Sequence, residues 1–148
     1  MQTGLLRTFM LSGAVSAATI VFSPAFAQDY INLAQGGGVT GNTTVFRISD
    51  SGEVAKGKGS VEPEFTEFAH LRKGKTRKYF RKTRALMKAQ TFNHPGNMYT
   101  AITLVEGGKE AKLTWGDTAH ATPVEAEALY RKIQDSLNRL TFHKDLRK

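Results

Sequence analysis

The stretch from Met98 to Trp115 constrains the fold more than any other part of the chain. Two β-rich arms, Met98–Glu106 and Lys109–Trp115, flank Gly107-Gly108. In the first arm Tyr99, Ala101, Thr103 and Val105 alternate with Thr100, Ile102 and Leu104. Alternation of period two around a two-residue glycine loop specifies a β-hairpin. One of its faces is apolar, and another layer must cover it.

Two amphipathic helices can supply that layer. Over residues 76–90, at 100° per residue, Tyr79, Phe80, Thr83, Leu86, Met87 and Gln90 share one arc, opposite Arg77, Lys78, Arg81, Lys82, Arg84 and Lys88. Asn93-His94-Pro95-Gly96-Asn97 then supplies turn residues. A second helix is marked by Thr122 as N-cap, Pro123 at the first helical position and Glu125 completing a T-x-x-E capping box. Leu129, Ile133, Leu137 and Leu140 give it a core-facing stripe. Upstream, residues 30–34, 43–48 and 53–56 read as short strands, and 57–64, with Gly, Ser and Pro, reads as loop. The order ββ(β)αββα predicts an α+β two-layer sandwich: an antiparallel sheet of four to five strands with both helices on one face.

The first 27 of the 148 residues read as an export signal. Arg7 gives a positive start, an apolar stretch follows, and Ala25-Phe26-Ala27 forms an A-x-A cleavage site. Residues 28–142 then form the expected single domain, with a charged tail at 143–148, located in the periplasm or outside the cell. No cysteine is present, which excludes disulfides, thiolate metal sites, a cysteine nucleophile and lipoprotein acylation.

The formal net charge is +8, from 21 Lys+Arg against 13 Asp+Glu. Nine of those cations lie between residues 72 and 88 with no acid among them: Arg72, Lys73, Lys75, Arg77, Lys78, Arg81, Lys82, Arg84 and Lys88. The segment is a candidate contact for an anionic polymer or lipid surface. The competing reading is a solvated helix face, and the place of Tyr79 and Phe80 on the apolar arc argues against base stacking.

Other motifs carry less. Gly36-Gly37-Gly38-Val39-Thr40-Gly41 matches G-x-G-x-x-G, but a strand follows it instead of a helix, and no phosphate-reaching lysine is placed after it. No nucleotide and no cofactor is expected. His70, His94, His120 and His143 are dispersed without a metal-binding spacing, so no metal site is expected either. Asp117, after Trp115-Gly116, is the most plausible catalytic carboxylate, with His94 or His120 as partner in a small hydrolase. With no assembled catalytic set, the leading expectation is a non-enzymatic domain binding an envelope or extracellular macromolecule. The polyanion or membrane-surface binder is the first alternative and the hydrolase the second.

Three segments, 37–44 (GGVTGNTT), 95–99 (PGNMY) and Trp115-Gly116-Asp117, together resemble a group of small secreted bacterial proteins and lipoproteins of uncharacterised activity. The resemblance covers residues 30–140 and implies a secreted α+β domain. It supplies no catalytic residue. Relatives that carry a lipobox cysteine differ from this chain, which has none.

Overall fold

The computed structural model describes residues 28–39, 41–59 and 63–144. The expected leader, 1–27, and the end of the tail lie outside them. Along the chain run β1 (Tyr30–Gly37), β2 (Thr43–Ser49), β3 (Glu53–Lys58), β4 (Glu64–His70), α1 (Lys73–Ala89), β5 (Asn93–His94), β6 (Met98–Glu106), β7 (Lys109–Trp115), α2 (Val124–Asn138) and β8 (His143–Lys144). The strands form one sheet of eight in the order β5-β7-β6-β1-β2-β3-β4-β8. Every pairing is antiparallel except β5 with β7.

The α+β class and the pair of helices stand as the sequence implies. The strand count does not, since eight replace four to five. β4 escapes the two-residue pattern because a register shift at Lys56/Gly57 interrupts its pairing with β3. Its Glu67 is also ion-paired with Lys56 at 2.9 Å, where a simple pattern would have an apolar residue. β5 and β8 have two residues each, too few to show any period. His143–Lys144, the first residues of the charged tail, pair with Glu67 and Phe68 of β4.

β1 joins the two halves of the sheet. Leu33 lies opposite Phe46 of β2 on one side and Ile102 of β6 on the other. Alternation along the strands gathers Ile31, Leu33, Phe46, Ile48, Val54, Ile102, Leu104, Leu113 and Trp115 on one face. Both helices cover that face, α1 with Tyr79, Phe80 and Leu86, α2 with Ala126, Leu129, Tyr130, Ile133 and Leu137. The Tyr79 hydroxyl donates to Ser136 Oγ and ties the helices together. Trp115 meets Tyr130 edge to face, with ring centroids 5.9 Å apart. Packing of this kind, with little help from capping, holds the helices.

The helix starts differ from the sequence expectation. α1 begins at Lys73, behind an Arg72 N-cap that offers no side-chain hydrogen bond. The Thr122 capping box does not form: Pro123 is itself the N-cap, extended at φ −69° and ψ 103°. That leaves Thr122 one residue outside the helix, beyond reach of the amide a capping hydroxyl serves. Glu125 and Glu127 sit in the first turn and complement the helix dipole.

Candidate functional site

α1 turns its apolar arc inward, so its cations face water. Arg72, Lys73, Lys75, Arg77, Lys78, Arg81, Lys82, Arg84 and Lys88 are all exposed, while Thr76, Tyr79, Phe80, Thr83 and Leu86 are buried. Among the described residues Arg84 is the one of the nine that has an ion-pair partner, Glu106, whose carboxylate accepts from its guanidinium. This partner raises the Arg84 pKa. The first turn of α1 has no acid and carries Lys73 and Lys75 at the positive end of the helix dipole. Like charges thus crowd this surface, and among the described residues the acids near it, Asp29, Asp50 and Glu106, gather at the recess beside Lys73, Arg77 and Arg84.

A second constellation lies at the β5–β7 edge, away from this helix face. The two strands run parallel, pairing Asn93 with Thr114 and His94 with Trp115. Thr114 N–H donates to the Phe92 carbonyl at 2.9 Å, and Asp117 N–H to the His94 carbonyl at 3.1 Å. The loops beyond approach each other closely at two glycines. A side chain at Gly96 would put its Cβ 2.3 Å from the Gly116 carbonyl oxygen. One at Gly116, whose φ is +145°, would come within 2.1 Å of the Met98 oxygen. These close approaches lock His94 and Asp117 side by side.

Residues 117–120 then fold back on themselves. Asp117 Oδ1 accepts from Ala119 N–H at 3.0 Å, and its Oδ2 lies 2.7 Å from His120 Nδ1. The Ala119 amide first, and the His120 ring second, hold the Asp117 carboxyl below the usual carboxylate range. His120 stacks on His94 with ring centroids 3.7 Å apart and planes 18° from parallel. Phe92 meets His94 edge-on at 4.7 Å. His94, Asp117 and His120 each offer one ligand atom, and these atoms lie within 4.8 Å of one another.

The pairing of Asp117 with His94 or His120 is therefore present in space. Among the described residues neither imidazole is hydrogen-bonded to a serine or threonine hydroxyl. That both histidines accompany Asp117 at once was not legible in the sequence. A two-residue parallel strand brings them together, and no periodicity marks such a strand. The remaining histidines lie elsewhere: His70 and His143 line a recess of about 570 Å³ beside β4 and β8.

The glycine run is a strand connection. Gly36 and Gly37 end β1, and Gly37 N–H donates to the Asn42 carbonyl at 3.3 Å. Gly38 N–H donates to the Asn97 carbonyl at 2.7 Å. These two amides are engaged with protein carbonyls instead of facing outward as a phosphate cradle requires. Neither a protein-family model nor a curated protein sequence matches the chain.

Proposed function

We propose that the chain is an exported, non-enzymatic binding domain that engages an anionic polymer or lipid surface through the exposed face of α1. One observation carries this reading: the nine cations of residues 72–88 are exposed, and Arg84 alone among them is ion-paired within the described residues. The aromatic residues of the segment, Tyr79 and Phe80, are buried beneath the charge. The contact is therefore electrostatic, without base stacking or apolar insertion. The leader at 1–27 supports an envelope or extracellular setting, where phosphate-bearing lipids and acidic polymers present such surfaces.

The reading is tested with Lys78→Gln, Arg81→Gln and Lys82→Gln combined, all three sites being exposed. At about 1 kcal/mol for each cation near an anionic surface, affinity for phosphatidylglycerol vesicles or heparin falls on the order of 100-fold. Binding by the unaltered chain weakens steeply as salt rises. Vesicle or heparin affinity that is the same in the triple variant, or insensitive to salt, rules the reading out. Retention on one of the two probes alone identifies the kind of surface.

A further inference from the structure

We propose that His94, Asp117 and His120 form a binding site for one divalent first-row transition-metal ion, of which zinc is the representative. Among the described residues this is the one group of three or more such side chains whose ligand atoms converge. Two imidazoles and a carboxylate make an N,N,O donor set, which suits zinc and its neighbours. Calcium and magnesium prefer oxygen alone.

The geometry is close to what an ion requires. With zinc–nitrogen and zinc–oxygen bonds of about 2.0–2.2 Å, the donors of a tetrahedral ion stand about 3.3 Å apart. Here they lie within 4.8 Å, and the difference is small enough for His120 to take up. His120 is the most exposed of the three, its side chain 45% accessible. His94 and Asp117 have less freedom, since the 3.1 Å bond from the Asp117 amide to the His94 carbonyl fixes one backbone against the other. The Ala119 amide orients the Asp117 carboxylate through Oδ1, the role that neighbours outside the coordination sphere play in metal centres.

The two imidazoles stack with ring centroids 3.7 Å apart, which keeps both nitrogen donors beside the Asp117 carboxylate. Three protein donors leave one tetrahedral position for water or an exogenous ligand. The site is independent of the α1 surface.

Its test is titration of the full chain, purified without a histidine tag and stripped with chelator, against zinc chloride in a calorimeter at neutral pH. Binding saturates at one ion per chain, and calcium chloride gives no heat of binding. His94→Ala, Asp117→Asn and His120→Ala each weaken zinc binding by about tenfold or more. A His70→Ala, His143→Ala double variant binds as the unaltered chain does. Circular dichroism verifies that each variant is folded, and exposed His120 is the substitution least able to disturb the fold. Failure to saturate at one ion per chain overturns the proposal. So does undiminished affinity in His94→Ala and His120→Ala, or a loss confined to the His70, His143 variant.

Discussion

Two residues show how much single positions carry in this small domain. Gly116 has a φ of +145° and lies where an added Cβ would stand 2.1 Å from the Met98 oxygen. Gly116→Ala must adopt a conformation that L side chains rarely take or push two strands apart. It should lower the unfolding free energy by about 2–3 kcal/mol, read from urea midpoints, and a loss under 0.5 kcal/mol would show that the close approach can relax. Tyr130 is buried against Trp115, and burial pushes its phenol up to about 12 from 10.0. The folded chain keeps the proton where the unfolded chain has released it. The contribution of Tyr130 is thus fully present below pH 10 and is lost as pH rises through about 12. Urea unfolding of the unaltered chain between those limits should fall more steeply with pH than that of Tyr130→Phe. Parallel curves would show that the phenol is solvated.

Among the elements, those with long patterns were legible and those whose shape is set by a neighbour were not. The hairpin of β6 and β7 follows the alternation read from 98 to 115. In α2 the stripe at Leu129, Ile133 and Leu137 is buried as its spacing requires. Residues 57–64 carry Gly, Ser and Pro and so read as loop, yet β3 runs on to Lys58 and β4 opens at Glu64, with a register shift at Lys56/Gly57 in their pairing. The α2 capping box failed for a local reason: an extended Pro123 moves the helix start past Thr122. A functional cap is worth about 1 kcal/mol, so Thr122→Ala should change stability by less than about 0.5 kcal/mol, the usual range for a surface position. A cost near 1 kcal/mol in thermal or urea unfolding would show that the hydroxyl caps α2 in solution. The basic run was legible as charge, but its availability depended on where α1 packs. That packing buries Tyr79 and Phe80 and leaves the nine cations in water. The histidine site was half legible, since Asp117 was paired with either histidine but not with both. Its convergence rests on the two-residue parallel pairing of β5 with β7.

At the scale of the molecule, the first strand among the described residues is an interior strand of the sheet. β1 is hydrogen-bonded to β2 on one edge and β6 on the other. The residues just before it are also tied down. Asp29 Oδ1 accepts from Gly107 N–H at 2.8 Å, and the Asp29 carbonyl accepts from Asp50 N–H at 3.0 Å. This order sets the timetable of folding for a polypeptide delivered N-terminus first, as in synthesis. β1 comes out first and meets β2 at once, but its other edge stays bare until Met98 and the residues after it have followed. The apolar row of Ile31 and Leu33 waits just as long for Ile102 and Leu104. A chain delivered this way can complete its sheet only late, around the strand that came out first.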